Sequence, residues 1–233
     1  MNGGIAMIPL SARLLCCASF VRGDYACDIG TDHALLPAYL IRSGKCSRVL
    51  ATDIKQGPLS AAAQTLKRFQ VADKISLCCS DGLKNVPEKG ITDVIIAGMG
   101  GETIRDILAD PCAKWLQRGT NLILQPMTKA EVLRGWLAEN GFALQKETAV
   151  KDTHLYTVMQ AVYTGDTKPL SEAACYVGQL RRSEMLTRIY IATILERLGK
   201  RLEGQRAAGS EDAADTEQLI RAINLWLEKG ELA

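Results

Sequence analysis

The chain is short of histidine, with two in 233 residues, and none of its eight cysteines stands in a Cys-x-x-Cys pair. A zinc site built from such pairs is therefore not expected, nor is any other metal. No apolar run reaches the ~18 residues needed to cross a bilayer. The start lacks a basic stretch followed by a long apolar region and a small-residue cleavage site, so a cytoplasmic protein without membrane attachment is expected. A large net charge is missing too: 28 Lys and Arg against 26 Asp and Glu leave +2. That excludes a surface gripping polyanions everywhere but leaves room for one basic face. The multi-glycine dinucleotide fingerprint is also absent, which sets a nicotinamide-dependent dehydrogenase aside.

What is present is the ordinary balance of a globular protein, 47% apolar and 23% charged, long enough for one α/β domain of roughly 150 residues and a smaller appendage. Cys16, Cys17, Cys27, Cys46, Cys78, Cys79, Cys112 and Cys175 mostly sit in apolar surroundings, where thiols behave as small buried hydrophobes.

Strands and helices alternate. After a helix over 10–20, with Leu14, Leu15, Ala18 and Phe20 on its inner face and Ser11 as cap, strands are predicted at 25–29, 49–53, 74–79, 93–97 and 121–125. Helices are predicted at 33–43, 58–69 (Pro58 in its first turn), 102–108 and 129–139. The runs 142–150 and 155–163 flank a short polar turn and read as an antiparallel hairpin. Five βα units and a hairpin make an α/β, Rossmann-like, mostly parallel sheet with one antiparallel strand, placed at residues 1–165. Residues 166–233 read as a second unit. Ser171 caps a long helix to about Leu202, Gly204 to Gly209 breaks it, and a second helix capped by Ser210 carries Leu219, Ile223 and Trp226, giving an antiparallel helical hairpin. Arg181, Arg182, Arg188, Arg197, Lys200 and Arg201 make the first helix basic. A solvated face and polyanion contact both fit such a run.

The chemistry is expected at the strand ends, which in a doubly wound sheet converge on one crevice. Asp28 and Gly30 end the first strand, Asp53 the second, Asp81-Gly82 the third and Gly98 the fourth. Gly30 allows close backbone approach. Asp53 can accept both hydroxyls of a ribose, Asp81 an exocyclic amino group, and Asp28 an ammonium or an ordered water. This set suits a nucleoside ligand carrying positive charge.

Asp-Ile-Gly-Thr-Asp-His-Ala-Leu-Leu-Pro (28–37), Asp-Ile-Lys-Gln-Gly-Pro-Leu (53–59), Ile-Ala-Gly-Met-Gly-Gly-Glu (96–102) and Leu-Ile-Leu-Gln-Pro-Met (122–127) together resemble the bacterial tRNA (adenine-22 N1)-methyltransferase family, over nearly the whole chain and least after Leu170. The resemblance implies a class I enzyme using S-adenosyl-L-methionine and releasing S-adenosyl-L-homocysteine. It implies tRNA as partner and N1 of an adenine in the D-loop region as target. Met127 stands where that family usually has asparagine. The cofactor-binding set then becomes Asp28, Gly30, His33, Asp53, Ile54, Asp81, Gly82, Ala97 and Gly98, and the catalytic set Asp32, His33, Met99, Gln125 and Pro126. The six cations from Arg181 to Arg201 become tRNA contacts, in a monomer or weak dimer.

Adenine N1 has a free lone pair, so alignment and exclusion of water are the main requirements. Asp32 is the candidate to stabilise the cationic product base, and His33 to position cofactor or base. The loop Gly98–Gly101 replaces the Asn/Asp-Pro-Pro-aromatic loop of many amino-group methyltransferases and suits a ring nitrogen. Loss of everything from Leu170 is expected to spare cofactor affinity and weaken tRNA binding. Two alternatives stay open: a class I methyltransferase for another substrate, and a protein that binds S-adenosyl-L-methionine without catalysis.

Overall fold

The computed structural model describes residues 7–87 and 89–230, without the side chain of Arg118; the first six residues, which bear on the leader expectation, lie outside it. Seven strands form one sheet: β1 (Tyr25–Ile29), β2 (Arg48–Asp53), β3 (Ile75–Cys79), β4 (Asp93–Met99), β5 (Asn121–Pro126), β6 (Phe142–Lys151) and β7 (Leu155–Tyr163). Their order is β3-β2-β1-β4-β5-β7-β6. Only β7 runs against its neighbours, β5 and β6. The central strands are buried on both faces, so they appear as near-continuous apolar runs such as Val94-Ile95-Ile96. The chain reverses direction of travel across the sheet between β1 and β4, and the tips of those strands frame the crevice.

Helices α1 (Ala12–Phe20), α2 (Leu35–Arg42) and α3 (Gln56–Arg68) cover one face. Helices α4 (Gly101–Ala109) and α5 (Ala130–Glu139), with a 3-10 segment at Pro111–Arg118 that the sequence reading lacks, cover the other. Several expectations need correction. On α1 Cys17, Ala18 and Phe20 are buried and Leu14 packs against the same core, whereas Leu15 is exposed, and Ser11 makes no side-chain cap. β3 is followed by turns instead of a helix, so the βα units number four. Pro58 is the third residue of α3, still within the turn whose N–H groups need no helical acceptor. The Asp93 carboxylate accepts Arg22 N–H at 2.9 Å, Gly23 N–H at 2.8 Å and the Asn121 amide at 2.6 Å. This bolts the exit of α1 beneath the sheet and leaves its first turn at the strand tips.

The C-terminal part differs most from expectation. Ser171 caps α6 (Glu172–Val177), accepting Ala174 N–H, but that helix stops at Gly178. The long helix is α7 (Met185–Ala207), which passes through Gly204, and α8 (Ala213–Lys229) returns antiparallel to it. The break has a physical cause beneath it. Arg134 on α5 and Glu147 on β6 form a fully buried ion pair, 2.7 Å from Nη2 to Oε1. Arg134 Nη1 also donates to the Cys175 and Tyr176 carbonyls at 2.6 and 3.0 Å, and Glu147 Oε2 accepts Gln179 N–H at 2.9 Å. Gly178 crosses directly above with φ +56°, where a Cβ would collide with both charged side chains. Leu180, Ile191, Ile194 and Leu198 join Leu219, Ile223 and Trp226 in a third core that includes Ala149 of β6. The helices are therefore docked on the sheet edge.

Candidate active site

One cleft opens at the tips of β1 and β4. It is lined by Asp28, Gly30, Thr31, Asp32, His33, Ala97 and Gly98, together with Leu35 and Leu36 of α2 and Arg13 and Leu14 of α1. The loop from β1 to α2 is backbone-strained: Asp32 and Ala34 both take φ +52°, an arrangement L-residues reach at a cost of order 1 kcal/mol or more each. It is held by Thr31 N–H to Thr52 O at 2.8 Å and by Asp32 N–H to Asp53 Oδ2 at 3.3 Å. The Asp32 and His33 side chains are left exposed, 3.7 Å apart.

Asp28 is buried beneath this loop. Burial pushes its carboxyl up to about 6, and the nearby Asp53 charge adds to the rise. The Thr31 hydroxyl lies close enough to oppose it, yet this buried atom has no hydrogen bond of full geometry. Burial disfavours the charged form of Asp28, and the Thr31 hydroxyl beside it is left without a full hydrogen-bond partner.

Not every expected residue lines this cleft. Asp53 adjoins it through Asp32, with its other oxygen accepting Lys55 N–H at 3.1 Å immediately before α3; the helix begins nearer to it than expected. Ile54 is exposed, and Asp81 and Gly82 lie farther out at the β3 tip, where the Asp81 carboxylate is paired with Lys84 at 2.6 Å. Gln125 is fully buried. Its Oε1 accepts Gly98 N–H at 3.1 Å and Arg13 Nη1–H at 3.0 Å, while its Nε2 donates to Pro126 O at 3.0 Å and faces Met127 Sδ at 3.6 Å. It therefore ties β4 to β5 from inside, and Pro126 is buried beside it. Met99 lies over Gly30, and Met99 O accepts Met127 N–H at 2.7 Å. Arg13 was missed because a lone arginine in a short helix carries no pattern.

A second groove begins at Pro126 and Met127 and runs between Lys151 at the end of β6, His154 of the β6–β7 turn and Tyr190, Thr193 and Arg197 of α7. Of the other expected RNA contacts, Arg182 donates to Glu228 O at the end of α8, and Lys200 pairs with Glu196 at 2.6 Å. Arg181, Arg188 and Arg201 are exposed. All eight cysteines are free thiols. Burial raises Cys17 and Cys27, and Cys46 to about 11, which keeps these three protonated and inert. Among the described residues there is no group of His, Cys, Asp and Glu that could hold a metal, and no helix long and apolar enough to cross a membrane.

Residues 10–159 match the methyltransferase domain family. The chain is 33% identical to the tRNA (adenine(22)-N(1))-methyltransferase of Bacillus subtilis over 97% of its own length and 95% of that protein. It superposes on the crystal structure of the B. subtilis m1A22 tRNA methyltransferase TrmK with a TM-score of 0.77 and 27% identity, covering 95% of this chain and 97% of that one. The TrmK of M. capricolum, solved with the natural cofactor product S-adenosyl-homocysteine, gives 0.79 and 27%, covering 94% and 98%.

Proposed function

The chain belongs to the tRNA (adenine(22)-N(1))-methyltransferase family, and from that membership we propose that it methylates N1 of adenine 22 in tRNA, using S-adenosyl-L-methionine. The observation that carries the reading is the cleft itself, where buried Asp28, the unsatisfied Thr31 hydroxyl and the open backbone of Gly98 converge at neighbouring strand tips. When bound, the cofactor supplies a methyl group already activated by its sulfonium. Asp28 meets the positive end of the ligand, Asp53 accepts ribose hydroxyls, and Asp81 with Gly82 and Ile54 borders the adenine edge. For Asp81 this requires exchange of its exposed Lys84 partner.

A target adenine presents N1 on its Watson–Crick edge, so it must leave its stack to enter. Leu14, Leu35 and the Met99 wall exclude water, and Gln125 fixes the Gly98 loop against which the base lies. Asp32, exposed at the rim, receives the charge that develops on the base, with His33 beside it. The exposed Arg181, Arg188, Arg197 and Arg201 support assigning residues 166–233 to tRNA contact, through phosphates.

Incubation of the protein with labelled S-adenosyl-L-methionine and unmodified tRNA is expected to yield 1-methyladenosine at position 22. Transfer to an exocyclic amine, or to no RNA, would overturn the proposal.

A further inference from the structure

The cleft and the second groove share a wall at Gln125. Its Oε1 accepts Gly98 N–H and Arg13 Nη1–H on the side of the cleft, while its Nε2 faces Met127 Sδ at 3.6 Å, where the groove begins. Met127 stands on that wall, directly after β5, as an exposed apolar side chain. We propose that Met127 is a wedge: it enters between the target adenine and a neighbouring base of the tRNA, sends the adenine into the cleft and leaves the neighbour to the second groove. The inference rests on the tRNA reading above and adds a second nucleotide position to it.

Met127 is supported from behind. Its N–H donates to Met99 O at 2.7 Å, which ties its backbone to the tip of β4, and the buried Gln125 amide meets its sulfur. An apolar side chain inserted between two bases covers the faces that unstacking lays bare, and a polarisable thioether suits an aromatic face. Because Gly98 and Met127 sit on neighbouring strand tips joined through Gln125, a base at one brings its neighbour to the other. The groove is built to take that neighbour. Its volume of about 430 Å³ falls within the roughly 300–1,000 Å³ of sites that hold a small ligand. Tyr156 and Tyr190 line it as buried aromatic side chains, and exposed His154 lies at its edge, its ring 6.2 Å from that of Tyr156 and nearly perpendicular to it. Such rings offer stacking surface to any base. Lys151 on β6 and Arg197 on α7 set an exposed cation on each side, within reach of phosphates. Of the two carboxylates in the lining, Glu196 is paired with Lys200 at 2.6 Å and Glu131 belongs to the first turn of α5.

The test uses the full chain with S-adenosyl-L-homocysteine and tRNA carrying 2-aminopurine at the target position, a base that brightens on leaving its stack. Wild type is expected to raise the fluorescence. Met127→Ala should lose about half of that rise or more, with affinity for S-adenosyl-L-homocysteine held within about twofold, and Met127→Leu should keep most of it. Single-turnover methylation of ordinary tRNA should fall about 10-fold in Met127→Ala and recover when one or other neighbour of the adenine is abasic, since no stacked base then holds it. His154→Ala should bind ordinary tRNA about 10-fold less tightly than wild type and bind that abasic tRNA equally well. A full fluorescence rise in Met127→Ala would overturn the wedge, as would a methylation defect that neither abasic neighbour relieves. Loss of the rise together with cofactor affinity would reduce Met127 to a brace for Gln125 and overturn it too. An equal loss for both tRNAs in His154→Ala would remove the neighbour from the groove. A wild type that methylates tRNA without any rise would sink this proposal alone, whereas one that neither binds nor methylates tRNA would sink the tRNA reading with it.

Discussion

Met99 fills the space that a side chain at residue 30 would need, its Cε lying where the Cβ would project. Gly30 also has φ +72°. The glycine at the tip of β1 is thus required by its own chain as well as by any ligand. Gly30→Ala is expected to displace the Met99 side chain toward the cleft and to cost about 1–2 kcal/mol in stability from the left-handed backbone alone. Turnover should fall, and Gly30→Ala/Met99→Ala should recover part of it. Unchanged turnover in Gly30→Ala would show that Met99 yields without consequence.

Asp28 gives the protein a pH signature. Its carboxyl is raised by burial to about 6 from an ordinary value of 3.8, so its contribution to stability is fully present below about pH 4 and is lost as pH rises through about 6. Asp28→Asn should therefore be more stable than wild type at pH 8, by up to about 3 kcal/mol, with the gap closing toward pH 4. Cofactor binding runs the other way, because a cation needs the ionised form. Wild-type affinity for S-adenosyl-L-homocysteine should weaken about tenfold per pH unit below 6, a slope that Asp28→Asn should lack. Denaturant curves and calorimetry across pH 4.5–8 measure both.

Asp53 and Asp32 should separate in kinetics. Asp53→Ala removes the acceptor for two loop N–H groups as well as for ribose, and is expected to weaken cofactor binding about tenfold or more. Asp32→Ala should leave cofactor affinity within about twofold and slow single-turnover methyl transfer by about 10-fold or more. An unchanged single-turnover rate would remove Asp32 from the chemistry.

Glu147→Gln should be the most destabilising of these changes. It leaves the buried Arg134 guanidinium without its counter-charge, a loss of about 3–5 kcal/mol. The paired replacement Arg134→Met/Glu147→Leu should cost clearly less, since no charge is stranded. Urea unfolding midpoints would decide, and equal losses would refute the account.

Most of the sheet was legible because strands buried on both faces leave uninterrupted apolar runs: β1 and β7 match their predicted limits, and β2 to β6 differ by at most two residues. The crevice was legible for the same reason, since strand ends carry Asp28, Asp53 and Gly98. What escaped depends on contacts distant in sequence. Gly178 looks like any helical interruption until Arg134 and Glu147 are found beneath it. Gln125 sits one residue from a strand end and reads as a site residue, yet its pleat position turns it inward. Arg13 reaches Gln125 across 112 positions of sequence, and no local pattern announces that meeting.

The docking of α6 also changes how the molecule can be divided. The Cys175 and Tyr176 carbonyls and the Gln179 N–H are partners for charges that belong to the sheet. Cutting the chain at Leu170 would strip those partners away and leave the Arg134–Glu147 pair and the apolar strip around Ala149 uncovered at the far edge of the sheet. Truncation at Leu170 is therefore expected to lower stability as well as RNA binding, so a loss of RNA binding in the shortened protein would not by itself locate the RNA contacts. RNA grip is better dissected one side chain at a time, at Arg181, Arg188 and Arg201, which stand clear of the seam.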